Sequence, residues 1–184
     1  MKNRNVVKGA VAGLLGGLIA SFVMNRVQAA FSETGNNKSH GAQSDQSGAP
    51  NHGVAAYLEA RGVDHPGDNA AERTANLVAT AVAQKPLSKR ERQAGGTLFH
   101  YLFGAGTGAV YGALSELSWP IRAGVGLPFG LAVWLVADEG VVPALGLSKS
   151  ASEHPPPVNA KALASHLVYG VSTDLTRRLI RRVL

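Results

Sequence analysis

No cysteine occurs among the 184 residues, which excludes disulfide frameworks and thiolate metal sites and leaves the redox compartment unread. Aromatic residues make up only 6%, and they do not interleave with the cations as a nucleic-acid surface would require. Acidic residues are outnumbered, 12 Asp and Glu against 18 Lys and Arg. No nucleotide fingerprint or catalytic motif is present. Gly104-x-Gly106-x-Gly108 has no preceding strand and no ribose-binding acid, so it does not read as a dinucleotide loop. The sequence points to no classical enzyme chemistry and no nucleic-acid partner.

Long stretches without charge are abundant. Gly9–Asn25, Gln93–Ser115, Ala123–Ala137 and Ala162–Thr173 are uncharged for 17, 23, 15 and 12 residues. The cations gather at their ends, at Lys2, Arg4 and Lys8, at Lys85, Lys89, Arg90 and Arg92, and at Arg177, Arg178, Arg181 and Arg182. That arrangement matches the flanks of membrane helices. A helix needs about 20 residues to cross the hydrocarbon core. The expected fold is an all-α integral membrane bundle of four transmembrane helices, at 6–29, 93–117, 121–146 and 158–180, the last being the least apolar. A cleavable signal peptide ending near Val27-Gln28-Ala29 is the rival reading of the first. The length of its apolar run, and Asn25-Arg26 just ahead of that site, favour a retained helix.

The expected organisation is a first transmembrane helix in 1–31, a flexible polar linker in 32–67, an extramembrane amphipathic helix in 68–91, and three further transmembrane helices in 92–184. The linker's first part, Ser32–Gly53, is rich in Ser, Gly, Asn and Gln and has little to bury. A short helix near "VAAYLEA" follows it. Asp68 is the expected cap of the next helix, which Pro86 ends and in which Leu77, Val78, Ala81 and Val82 form an apolar stripe. Such a helix lies on a bundle or membrane surface. Pro128 and Pro143 are expected to kink the third transmembrane helix.

Small residues recur at every fourth position. Gly9, Gly13 and Gly17 continue into Ser21, Gly104, Gly108 and Gly112 into Glu116, Gly126 and Gly130 into Trp134 and Asp138, and His166 is followed by Gly170 and Asp174. Residues four apart share a helix face, and small side chains let helix backbones approach in lipid. The ionisable residues prolong these stripes and so are expected to face other helices. A carboxylate at the bilayer centre costs about 2.5–3.5 kcal/mol on insertion scales, and partners offset it.

Antiparallel neighbours put His100, Asp138, Glu139 and His166 at one end of the bundle. Glu116, Arg122, Asp174, Arg177 and Arg178 fall at the other, as interfacial ion pairs. The first set is open to three readings: a hydrogen-bonded lock, a proton or ion relay, or a divalent site for Zn or Fe. Haem is disfavoured, since no obvious axial pair stands on facing, well-separated helices, although His100 and His166 could in principle serve. No cofactor is implied by any motif.

The segments "LFHYLFGAGTGAVYGALSE", "GLAVWLVADEGVVPALGL" and "ASHLVYGVSTDLTRR" resemble the YagU-type bacterial inner-membrane proteins, a family without a known biochemical function. The resemblance covers the last three helices well and the first loosely. It rests on His100, Tyr111, Glu116, Pro143, Gly146, His166, Arg177 and Arg178, while Asp138 and Glu139 fit the relatives with an Asp-Glu pair. The long linker departs from it. What it implies is a multi-pass protein of the bacterial inner membrane with a loose link to acid tolerance, and no mechanism. With the composition, it leads to an expected accessory or structural subunit of a membrane assembly, with both termini cytoplasmic. Its partners are the lipid bilayer and other membrane subunits or copies of itself. A small proton- or ion-handling protein is the alternative.

Overall fold

The computed structural model describes residues 5–34, 52–65, 67–149 and 153–184, so most of the expected Ser/Gly/Asn linker lies outside the described residues. Every regular element among the described residues is helical. The helices are α1 (Val6–Thr34), α2 (Gly53–Ala60), α3 (Ala70–Val82), α4 (Lys89–Leu117), α5 (Leu127–Val133), α6 (Val142–Ala144) and α7 (Pro156–Val183). A 3-10 turn, Trp119–Arg122, follows α4, and a π-helix, Trp134–Val141, joins α5 to α6.

Among the described residues two stretches are long and apolar enough to cross a membrane, Val6–Ser32 and Leu127–Ala144. At 29 and 28 residues, α4 and α7 have the length as well. What they lack is continuous apolarity. The uncharged run of α4 is diluted by six glycines and by Gln93, Thr97, His100, Thr107 and Ser115, and α7 contains Asp174, Arg177 and Arg178.

The third expected helix is not continuous from 121. Gly124, Val125 and Gly126 all have positive φ, at 76°, 51° and 82°, which breaks the chain direction before α5. Pro128 then lies in the first turn of α5, where its missing N–H costs nothing, so it starts the helix and does not kink it. Pro143 occupies the corresponding place in α6, directly after the π-helix.

The chain divides into two compact units. The first comprises 1–27, 101–134 and 163–184, and the second 28–100 and 135–162. In the first unit Ala20, Met24 and Tyr169 are buried together, with Phe129 and Val133 against them. Around this small core the usual polarity is reversed. Ser21, Ser115, Glu116, Ser165, His166, Thr173, Asp174 and Arg177 are buried, while Leu14, Leu15, Ile19, Phe22, Leu102, Phe103, Val110, Leu114, Leu131, Leu175 and Leu179 are exposed.

Glycine is what lets these helices touch. A Cβ added at Gly13 would fall on the Gly108 carbonyl oxygen, one at Gly17 on that of Gly104, and one at Gly112 on that of Gly9, so α1 and α4 run antiparallel with backbones in contact. α5 and α7 meet in the same way, Gly126 and Gly130 lying against the carbonyls of Gly170 and His166. Gly106, on the other side of α4, faces open space.

The second unit is built on hydrogen bonds to irregular backbone. Val54 and Ala55 donate to the carbonyls of Leu145 and Gly146, at 2.8 and 3.0 Å. Gly53 and Gly146, both left-handed, allow this contact. Residues 53–60, within the expected linker, therefore form a fixed helix in which Ala55 and Leu58 are buried. The cap of α3 is Asn69 and not Asp68. Its side chain accepts from Glu72 N, and the Glu72 carboxylate accepts from Asn69 N, both at 3.0 Å. Asp68 is held away from that role by an ion pair with Arg92 at 2.7 Å.

α3 packs by its polar face. Arg73, Asn76 and Thr80 are buried, whereas Val78 and Val82 of the apolar stripe are 55% and 80% exposed. The neighbours of that inner face explain the inversion, because they are loop groups that need hydrogen bonds. Asn76 donates to Val63 O and accepts from Leu87 N, and Arg73 donates to Leu147 O at 3.0 Å.

Candidate functional site

The densest chemistry among the described residues is an ionic layer in the first unit, where the ends of α4 and α7 meet the Trp119–Arg122 turn. Asp174 is fully buried. Its Oδ1 accepts from Arg177 at 2.7 Å, and its Oδ2 makes an ion pair with Arg178 at 2.6 Å. The spacing is helical: residues three and four positions after Asp174 stand over the same face of α7. Arg177 is itself 2% exposed and lies 5.5 Å above the Tyr111 ring. Tyr111 in turn stacks on Phe129 with centroids 4.3 Å apart. A buried cation thus has a carboxylate on one side and an aromatic face on the other.

Arg178 has a second task. It donates to the Arg122 carbonyl at 2.9 Å and so ties the turn to α7. Glu116 pairs with Arg181 at 2.9 Å. The expected group of Glu116, Arg122, Asp174, Arg177 and Arg178 is therefore in one region. Among the described residues, however, Arg122 forms no ion pair and acts on Glu116 only electrostatically, while Glu116 pairs with Arg181, a partner that was not expected. The signal for Arg181 was its place one turn beyond Arg177, on the same face of α7. Ser115, fully buried beside Glu116, also escaped the sequence reading.

Gly9, Gly13, Gly17, Gly104, Gly108 and Gly112 line the α1–α4 contact, and Gly126, Gly130 and Gly170 the α5–α7 contact. Next to the latter, Tyr169 donates to the Gly104 carbonyl at 2.6 Å and shares a hydrogen bond with Thr107 at 2.9 Å. A tyrosine hydroxyl is thus satisfied in the middle of the unit, at the point where close helix approach leaves a carbonyl within reach.

The four residues of the other expected cluster are distributed between the units. His100, Asp138 and Glu139 belong to the second and His166 to the first, and all four take part in polar or electrostatic interactions. Asp138 and Glu139 occupy the π-helix, whose wider turn changes the angle between successive side chains. Among the described residues no three His, Asp or Glu side chains are grouped so as to hold a metal ion, so the geometry does not support a Zn or Fe centre there.

In the second unit two arginines are buried, Arg73, which the sequence reading did not single out, and Arg92, which it took as a cation flanking a membrane helix. Arg73 pairs with Asp64 at 3.1 Å, and Arg92 donates to the Leu87 carbonyl at 2.8 Å while pairing with Asp68. Nothing in their spacing distinguished them from the exposed Lys85, Lys89 and Arg90. The sequence offered no hint beyond the presence of two carboxylates, Asp64 and Asp68, in the same stretch of chain.

These features define an all-helical protein with polar side chains inside and two helices able to cross a membrane. The chain belongs to the family described as protein of unknown function DUF1440, whose model matches residues 70–175. That match runs from α3 to just past Asp174, so α1, Arg177, Arg178 and Arg181 lie beyond it. No curated protein and no solved structure matches the chain.

Proposed function

We propose that the chain is a multi-pass protein of the bacterial inner membrane, of the YagU type, acting as a structural or accessory subunit of a larger membrane assembly. The observation that carries this reading is the reversed polarity of the first unit. Its ionic and hydroxyl side chains are inside and a shell of Leu, Val, Ile and Phe is outside, a distribution suited to a hydrocarbon solvent. Backbone contact through glycine adds to it, since helices in lipid have no hydrophobic drive to associate and depend on close packing.

In this reading α1, α4, the α5–α6 stretch and α7 are the four spans. The termini are cytoplasmic with their cations, and α1 is retained because its glycines meet those of α4. The chain performs no catalysis of its own, binds no nucleic acid, and has lipid, other subunits or its own copies as partners. Gentle purification from native membranes followed by mass spectrometry tests it. Proteins recovered in fixed ratio support the accessory role, and a monomer recovered alone overturns it.

A second reading draws on the π-helix. Two carboxylates in an apolar stretch, on a helix type that recurs at functional positions, suit a proton- or ion-handling protein using His100, Asp138, Glu139 and His166. It requires pH-dependent ion flux in liposomes that Asp138→Asn abolishes while the fold survives. Absence of flux in the unaltered protein removes it.

A further inference from the structure

Charge at the Trp119–Arg122 turn does not balance. Asp174 is the one carboxylate paired with both Arg177 and Arg178, so these three side chains carry a net positive charge. Arg122 adds another. Its guanidinium has no ion-pair partner among the described residues, and its Nε is buried with no hydrogen bond. An arginine with a shielded and unsatisfied donor is costly unless an anion completes it.

The surroundings specify what kind of anion. Trp119 is 74% exposed, and Leu117, Val125 and Leu127, within eight residues of it in the chain, are exposed as well. Free phosphate or an acidic peptide gains nothing from such a rim. A phospholipid does, because its phosphodiester meets the arginines while its glycerol and acyl chains cover tryptophan and leucine. Tryptophan favours the depth at which headgroups lie, and basic pockets between helices take acidic headgroups. Arg178 is accessible for this purpose, with 41% of its side chain exposed despite its bond to Asp174.

We propose that the Trp119–Arg122 turn and Arg178 form a headgroup site for an acidic phospholipid, whose phosphodiester oxygens accept from the guanidinium groups of Arg122 and Arg178. Arg122, Arg177, Arg178 and Arg181 stand against Asp174 and Glu116, and the resulting excess of two positive charges matches a lipid with two phosphodiesters better than one with a single phosphate. The site rests on the membrane reading above.

The test uses the full chain in nanodiscs of zwitterionic lipid with and without diphosphatidylglycerol, followed by transfer to detergent and counting of retained lipid by native mass spectrometry. Preferential retention of the acidic lipid is expected. Arg122→Gln lowers it about fivefold, the ratio that corresponds to roughly 1 kcal/mol per basic residue at a membrane surface. Trp119→Glu also lowers it by placing a carboxylate at the rim, with an unchanged melting temperature in detergent as the control for folding. Equal retention of acidic and zwitterionic lipid, or unchanged retention in both variants, overturns the site. Displacement of the lipid by millimolar inorganic phosphate overturns the lipid as its ligand. Carbonate extraction of native membranes separates the two failures: a chain that stays in the pellet yet retains no acidic lipid refutes the site alone, whereas a chain released into solution refutes the membrane reading with it.

Discussion

The two units bury similar amounts of polar chemistry in opposite ways. In the first, Asp174, Arg177, Arg178, Glu116 and Arg181 pair chiefly with one another, and Arg178 and Tyr169 also reach backbone carbonyls, those of Arg122 and Gly104. In the second, Arg73, Asn76 and Arg92 reach loop groups, namely Leu147 O, Val63 O, Leu87 N and Leu87 O. Continuous helices have already used their N–H groups and one lone pair of each carbonyl, so charged side chains between them pair mostly with side chains, while a hydroxyl such as that of Tyr169 can still reach a helix carbonyl. Short helices and turns leave free carbonyls and amides, and buried side chains are drawn to them. Under the membrane reading proposed above, the first solution suits lipid, where free backbone is prohibitive.

Removing one ion from each unit is the sharpest way to break that comparison. Asp174→Ala strands Arg177 in the interior and is expected to cost about 3–5 kcal/mol, as is Arg73→Ala, which strands Asp64 and the Leu147 carbonyl. Hydrogen exchange checks whether the loss of protection is confined to α7 and its neighbours in the first case and to α2–α3 in the second. Spread through the whole chain in both would mean that the units do not respond separately.

Next in size are the glycines. Gly108→Val sets a branched side chain against the Gly13 carbonyl and is expected to cost about 1–3 kcal/mol or to separate α1 from α4. Gly106→Ala, facing open space on the same helix, should leave the melting temperature in detergent unchanged or slightly raised. Similar losses in both would show that α4 is sensitive to any substitution and that close approach is not the cause. A smaller effect, about 1 kcal/mol, is expected for Asn69→Ala, read as fraying of the first turn of α3.

The smallest effect concerns Glu91, which caps the start of α4 by accepting from Ser88 N at 2.8 Å. The bond to Ser88 holds its carboxyl below the usual value of 4.5. A depressed folded value means that the stabilisation is complete above pH 4.5 and is lost as the pH falls through the folded value. Amide exchange at residues 88–92 should rise in that acid window, and Glu91→Gln should flatten the dependence.

Several features were legible in the residues themselves. The helical character followed from long uncharged runs, and the helix-contact faces from glycine at every fourth position. Asp174 was placed near Arg177 and Arg178 only by depth in the bundle, although their spacing on one helix already put them within reach. The cap at Asn69 was also written in the chain, as an Asn-x-x-Glu pattern one residue beyond the Asp68 chosen for it. By contrast, the break at Gly124–Gly126 was hidden, because an apolar run containing Pro and Gly reads equally as a kinked helix and as a new start.

Composition and periodicity are local properties, and they determined by themselves that this chain is helical, which faces are small enough to touch, and where charge must be sheltered. Which charges meet was decided only in the tertiary structure. Glu116 lies 65 residues from Arg181 and Arg73 lies 74 from Leu147, and no spacing rule spans a distance set by how helices cross. The inward polar face of α3 was decided there too, since a helix buries whichever side its neighbours can satisfy, and those neighbours are unpaired loop carbonyls and amides supplied by distant segments of the chain.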